Sequence, residues 1–187
     1  AYSTEGITWT TSFSTWLNTR QPTDNMFVQE LGLYVSPHYD VNSTSSVGAT
    51  SPDGSTWTNI TKTGTPLGDC KYTCTAWSPE LTTGVLLGDN IATFPCMTTS
   101  TFVSNSFTTR TISGTGNKWE SIVWIPDITK FVAVSSTGTN RTMSSPTGAT
   151  WTTGTIASNT WRKLVWNKYA QVLWAFGDAD KFATSVD

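Results

Sequence analysis

Few side chains in this sequence could do chemistry. It holds four arginines (Arg20, Arg110, Arg141, Arg162), four glutamates, one histidine and three cysteines. Glu30, Glu80 and Glu120 are the residues a glycoside hydrolase would use, as a carboxylate pair roughly 5 to 9 Å apart. Sequence spacing does not say whether any two of them meet. His38, in Val35-Ser-Pro-His-Tyr-Asp40, has no second histidine or nearby cysteine with which to share a zinc ion. No serine stands in a nucleophile elbow, so His38 reads as an exposed loop residue. Asp178-Ala-Asp180 and Gly88-Asp89-Asn90 are acidic loop tips in corresponding places. They read as Asx turns, and Ca²⁺ is the one ion such tips would take. No other metal or cofactor is expected. Cys70, Cys74 and Cys96 are too few for a metal framework. In an oxidising compartment Cys96 would pair with Cys70 or Cys74; otherwise all are buried thiols.

The elements that would carry these residues follow from composition. The chain has 187 residues, 13% of them charged, and a net charge of −2. That length suits one domain or one repeat array. The charge excludes an electrostatic nucleic-acid binder. No apolar run approaches the length of a membrane-spanning helix, so no membrane insertion is expected. The first residues carry no basic-then-apolar leader, so any secretion signal is expected to have been removed or to lie outside this sequence. With 37 Thr and 21 Ser, the chain has the makings of a mucin-like stalk. Its 12% aromatic content argues against that, because so much apolar surface must be buried. Thr, Val, Trp and Tyr favour strands, and Gly, Asn, Asp and Pro punctuate them every few residues. The expectation is an all-β domain with almost no helix.

Two elements recur in phase. Ser51-Pro-Asp53-Gly54-Ser-Thr-Trp57 reappears as Ser145-Pro-Thr147-Gly148-Ala-Thr-Trp151 and, at the start, as Ser3-Thr-Glu5-Gly6-Ile-Thr-Trp9. A worn copy covers Ser104-Asn-Ser-Phe107. The aromatics Trp9, Trp57, Phe107 and Trp151 are 48, 50 and 44 residues apart. The second element is W-x4-W, in Trp119–Trp124 and Trp161–Trp166, with Tyr72–Trp77 as a variant and Trp16–Gln21 as a poor fourth copy. A short apolar strand follows each: Met26–Val28, Val85–Leu87, Phe131–Val134 and Val172–Phe176. The first unit carries a long insert near Ser36–Val47. Four short strands per unit expose two apolar faces that only stacking can bury. This predicts a β-propeller of four-stranded blades, a single array over 1–187 with approximate units 1–47, 48–96, 97–140 and 141–187. The alternative is a β-sandwich. Because 1–5 aligns with 183–187, the array is either a four-bladed ring closed by the strand near Ile7–Thr11 or an excerpt from a longer one.

The S-P-D-G-x-T-W turn resembles the Asp-box, or BNR repeat, of sialidase-like propellers, in a form common in phage, viral and environmental sequences. The resemblance spans nearly the whole chain. It implies structural roles for Ser3, Gly6, Trp9, Ser51, Asp53, Gly54, Trp57, Ser145, Gly148 and Trp151. The physical reading agrees. The turn serine or aspartate accepts backbone N–H groups, the glycine takes positive φ, and the aromatic packs between blades. Sialidase activity would further require an arginine cluster, a Tyr nucleophile with a Glu partner and an Asp acid; the four arginines occupy different places in their units. No catalytic residue is assigned.

The expected function is therefore non-enzymatic: structural assembly, adhesion or glycan recognition, outside the cell or on a virion surface. Tyr34, Tyr39 and Trp174 are the aromatics expected to stack on a sugar if they stand outside the core. Asn42, Asn59 and Asn140 begin N-x-S/T sequons, which a secreting eukaryote would glycosylate. Partners would be glycans or protein subunits, with a homo-oligomer, filament or particle as the assembly. The alternatives are a sialidase-like glycoside hydrolase fragment and a protein-assembly factor of the kind that photosystem-related propellers resemble.

Overall fold

The computed structural model describes residues 6–8, 20–40, 46–63, 71–89, 95–112, 114 and 116–185, with backbone alone for 20–22 and 39–40. The described residues form four antiparallel sheets in sequence order. Sheet I holds β1 (Arg20–Pro22), β2 (Met26–Val28), β3 (Leu33–Asp40), β4 (Ser46–Ser51) and β5 (Thr58–Thr61). Sheet II holds β6 (Tyr72–Ser78), β7 (Thr83–Gly88), β8 (Cys96–Thr99) and β9 (Thr108–Arg110). Sheet III holds β10 (Trp119–Ile125), β11 (Lys130–Ser135), β12 (Thr142–Ser145) and β13 (Thr152–Thr153). Sheet IV holds β14 (Trp161–Asn167), β15 (Val172–Gly177) and β16 (Phe182–Ser185). A three-residue 3-10 turn at Pro126–Ile128 is the only helix among the described residues.

Each sheet is an up-and-down meander, and the sheets stack face to face as the blades of a β-propeller. Packing between neighbours runs mainly through the first strands β6, β10 and β14. Three apolar clusters fill the interfaces. Val28, Val35 and Ile60 of sheet I meet Leu86, Met97 and Phe102 of sheet II. Val85 and Leu87 meet Ile122, Phe131 and Met143 across the next interface, and Ile125 and Val134 meet Leu164, Leu173 and Ala175 across the third. The first aromatics of the W-x4-W element, Tyr72, Trp119 and Trp161, are wholly buried. Each buried ring contributes roughly 1.5–3 kcal/mol of burial.

A bulge interrupts β6, β10 and β14 just after that first aromatic. The first strands are also edges of their sheets, and neighbouring sheets use the backbone groups left free along that edge and at the bulge. The Thr75 N–H donates to the Asp24 carboxylate at 3.0 Å, and the Leu164 N–H to Ser121 Oγ at 3.1 Å. The Thr23 hydroxyl donates to the Tyr72 carbonyl at 2.6 Å, and Thr73 repeats this toward the Trp119 carbonyl.

Register corrects three expectations. Met26–Val28 is a first strand: β1 and β2 pair end to end with β3 and make one interrupted strand. Phe27, opposite Tyr34, therefore holds the second aromatic place of sheet I, not Gln21. Of the stretch near Ser36–Val47 read as an insert, 36–40 end β3 and 46–47 begin β4, and 41–45 lie outside the described residues. His38 is not in a loop. It lies on β3, 1% exposed.

Candidate functional site

The second aromatic of each first strand stands at one end of its sheet, three residues before the tip of the hairpin. That tip carries an acid in sheets I, II and III: Glu30, Glu80 and Asp127. Each acid accepts the indole N–H of the following sheet. Trp77 Nε1 donates to Glu30 at 2.9 Å, Trp124 Nε1 to Glu80 at 2.7 Å and Trp166 Nε1 to Asp127 at 3.1 Å. A Trp-to-carboxylate ladder thus stitches the four sheets at this end. The same acids sit beside an open groove of about 510 Å³ spanning sheets I to III. Phe27, Trp77 and Trp124 line it with Glu30 and Glu80, and no Lys or Arg does. The groove is aromatic walled and carries two carboxylates, each already oriented by an indole.

The remaining acids and bases are held apart. Glu120 accepts the Ser136 hydroxyl at 2.7 Å and pairs with Arg162 at 3.1 Å and Lys118 at 3.3 Å. Arg162 also grips Asp178 through Nε at 3.1 Å and Nη2 at 3.0 Å. That grip, through hydrogen bonding first, holds the Asp178 carboxyl below the ordinary range and raises Arg162. Arg110 donates to Thr98 Oγ1 at 2.9 Å, and Arg141 to the carbonyls of Asn159 and Ser136. Arg110 serves its own sheet, whereas Arg141 and Arg162 share one network through Ser136 and Glu120, where each is already committed to a carbonyl or a carboxylate. Among the described residues no group of three or more His, Cys, Asp and Glu is placed to hold a metal.

His38 does meet a serine: its Nε2 lies 2.7 Å from Ser46 Oγ. The Ser46 hydroxyl donates to Asn59 Oδ1 at 2.8 Å. His38 Nε2 is therefore the donor of its bond, and the imidazole does not draw the serine proton as a general base would. Both residues are buried.

The turn residues bond within their own turns. Ser51 Oγ accepts the Gly54 N–H at 2.8 Å and donates to Asp53 at 2.9 Å. Asp53 accepts the N–H groups of Thr56 at 2.6 Å and Ser55 at 2.8 Å. Ser145 Oγ accepts the Gly148 N–H at 2.7 Å, while Thr147 takes only the Ala149 N–H at 3.3 Å. Trp57 and Trp151 close their turns by donating to the Gly54 and Gly148 carbonyls at 3.1 and 3.0 Å. Gly6 has φ +75, matching +71 at Gly54 and +76 at Gly148; Ser3 and Trp9 lie outside the described residues. In sheet II the turn is not where the sequence puts it. Thr99 Oγ1 accepts the N–H groups of Thr101 and Phe102, both at 3.2 Å. Thr99 thus takes the serine place and Phe102 the glycine place, with φ +53.

The three aromatics expected to bind sugars are not gathered. Tyr34 is half exposed, its ring 4.8 Å from that of Phe27. Tyr39 stands opposite Gln21 by register. Trp174 lies on the far face of sheet IV beside Phe176 and Phe182. Asn59 sits within β5, Asn140 in a loop before β12, and Asn42 outside the described residues. Cys74 and Cys96 are free and buried, which is the buried-thiol alternative and not the Cys74–Cys96 bridge. They occupy first and third strands, each facing Leu87 of the strand between. Two inter-strand steps separate them by roughly 9–10 Å, beyond disulfide reach. Burial pushes the Cys96 thiol up to about 12 and that of Cys74 well above its usual value. Cys70 lies outside the described residues.

The ladder and its groove went unread in the sequence, although a signal existed. An acid follows the second aromatic by three in Phe27/Glu30, Trp77/Glu80 and Trp124/Asp127.

No protein-family model matches the sequence, and no curated protein matches it. Solved structures do. One, YCF48 bound to a D1 peptide, superposes with a TM-score of 0.57 at 11% identity, over 89% of this chain and 53% of that one. Another, the GH74 enzyme of Niastella koreensis, gives 0.53 at 14% identity, over 89% of this chain and 24% of the enzyme. The chain spans about half the length of the first and a quarter of the second. These likenesses show the propeller fold.

Proposed function

We propose that this chain is a non-catalytic propeller sector that holds an extended protein segment bearing Lys or Arg in the groove across sheets I to III, as part of building or attaching to a larger assembly. The observation that carries this reading is the pairing of Glu30 and Glu80 with the Trp77 and Trp124 indoles in a groove without a basic residue. Rigid carboxylates beside aromatic faces suit a cationic side chain: the charge meets the acid and the stem lies on the ring. The same arrangement suits catalysis poorly, since each acid is committed to bracing a neighbouring sheet. A structural neighbour caught with a peptide adds support by analogy of fold alone. The extracellular or virion-surface setting belongs to this proposal and rests on the Thr- and Ser-rich, weakly charged composition.

The test is a peptide panel, extended and Lys/Arg-bearing against matched neutral sequences, read by fluorescence anisotropy. Binding should favour the cationic set, weaken with salt, and fall about tenfold in Glu80→Gln, one charge-assisted contact at roughly 1.4 kcal/mol. Gln keeps an acceptor for the Trp124 indole, so the fold is preserved. Glycan-array hits without peptide binding would replace the ligand class. Turnover of a fluorogenic glycoside that Glu80→Gln abolishes would overturn the non-catalytic reading.

A further inference from the structure

Sheets II and III meet more fully than sheets III and IV, although corresponding positions build both interfaces. Sheet III presents Phe131, Ala133 and Met143 to sheet II, and Trp151 packs beside them with its side chain against Cys96. Register gives the counterparts one sheet on. Trp124 pairs with Phe131 as Trp166 pairs with Leu173, and Ala133 pairs with Met143 as Ala175 pairs with Ala183. Sheet IV therefore presents Leu173 where sheet III presents an aromatic ring, and Ala183 where sheet III presents a thioether. Protein interiors are close-packed, so side chains this much smaller leave a void unless the sheets collapse together. Here a cleft of about 370 Å³ remains between sheets III and IV, with Leu173 and Ala183 in its wall. That volume lies within the range of small-molecule sites.

The cleft is apolar along its length and charged at one end. Lys130, Val132 and Val134 alternate along β11 and so share the face of sheet III that looks toward sheet IV. All three line the cleft. The strand from Lys130 to Val134 spans roughly 13 Å. Lys130 stands at the hairpin end, and Thr142, opposite Val134, adds a hydroxyl at the other end. Among the described residues that line the cleft, Lys130 alone carries a charge. It is exposed, and no acid among the described residues pairs with it. Asp127, on the same hairpin, accepts the Trp166 indole and is not part of the lining. The cleft also shares no lining residue with the groove across sheets I to III.

We infer that the cleft between sheets III and IV binds an anionic amphiphile, a medium-chain carboxylate. The carboxylate meets the Lys130 ammonium at the mouth, a charge-assisted contact. The apolar chain lies along Val132 and Val134, in the space that Leu173 and Ala183 leave unfilled. A chain of about ten carbons matches the length of that wall.

Calorimetric titration of the 187-residue chain with sodium decanoate below its micellar concentration should give saturable binding, one ligand per chain. Decanol should bind about tenfold more weakly, and decylammonium should not bind. Lys130→Met changes an exposed residue and should bring decanoate down to the level of decanol. Leu173→Phe with Ala183→Met rebuilds the packing plan of sheet III, and should abolish binding of both ligands while raising Tm. Glu80→Gln should leave decanoate binding unchanged, so this inference and the peptide-groove reading fail separately. No saturable decanoate binding, the result if another part of the chain already fills the cleft, would overturn the inference. So would decanoate binding that persists in a folded Leu173→Phe, Ala183→Met variant, or that is indifferent to Lys130→Met.

Discussion

Sheets II and III solve one packing problem with the chain positions exchanged. In sheet III an aromatic stands on the second strand, Phe131, and a glycine in the turn, Gly148 at φ +76. Sheet I follows the same plan with Tyr34 and Gly54. In sheet II the glycine is on the strand, Gly84, and the aromatic is in the turn, Phe102 at φ +53. The ring arrives at the same place either way, with centroids 5.9 Å from Trp77 in sheet II and 4.7 Å from Trp124 in sheet III. What the interface demands is one ring beside the first-strand aromatic and no second ring. Which strand or turn supplies it is free, because packing density constrains volume and not sequence position. Sheet II accepts roughly 1–2 kcal/mol of left-handed backbone at Phe102, offset by complete burial of the ring.

The strongest way to break that comparison is to place two rings, or none, in sheet II. A Cβ on Gly84 would stand 2.2 Å from the Phe102 ring. Gly84→Phe should therefore cost about 3 kcal/mol or more by overpacking. Phe102→Gly should cost about 3 kcal/mol, the lost burial and cavity lessened by relief of the positive φ. The double exchange, Gly84→Phe with Phe102→Gly, converts sheet II to the plan of sheet III and should recover most of both losses. Urea unfolding reads all three variants. A double variant as unstable as the sum of the singles would show that the two sheets are not built on one rule.

A second contrast sharpens the role of the turn glycines. Gly148 and Gly54 share a backbone conformation, but only Gly148 is pressed against another sheet. A Cβ on Gly54 would meet the Tyr34 ring at 3.8 Å, an ordinary contact. Gly54→Ala should cost the conformational penalty alone, about 1 kcal/mol. Gly148→Ala should cost about 2–4 kcal/mol, because contact with Val85 is added. For a chain of this length the difference corresponds to several degrees in Tm. Equal losses would mean that the turn of sheet III does not bear on sheet II.

These contrasts also explain what the sequence disclosed. The blades of sheets II to IV were legible because Tyr72/Trp77, Trp119/Trp124 and Trp161/Trp166 keep one spacing on unbroken strands. Sheet I was not, because its first strand is interrupted, with Thr23 and Asp24 turned to sheet II and Phe27 standing where a Trp was sought. The turn of sheet II was hidden by the exchange itself: its glycine had moved fifteen residues upstream of the serine-equivalent Thr99, to Gly84. His38 misled because a lone histidine carries no periodic signal of its own, whereas it lies within β3. The groove stayed invisible for a different reason. Each indole bonds the acid of the preceding sheet, 47, 44 and 39 residues away, and only the stacking of sheets brings them together.

The smallest expected effect separates the two turns by their acid. The N–H groups of Thr56 and Ser55, with the Ser51 hydroxyl, lower the Asp53 carboxyl from 3.8 to about 2. A folded-state value below the unfolded one stabilises the fold fully above the unfolded value, and that stabilisation is lost as pH falls toward the folded value. Wild type and Asp53→Asn should therefore differ in Tm near neutrality, and the difference should close between about pH 4 and pH 2. Because the aspartate is exposed, the gap should be smaller than that produced by Gly54→Ala. Thr147 offers its turn a hydroxyl in place of that charge. Thr147→Asp should raise Tm at neutral pH and surrender the gain over the same acid window, so that the turns of sheets I and III converge at low pH. A gain independent of pH would assign the benefit to shape instead of charge, and would remove the acid as the difference between the two turns.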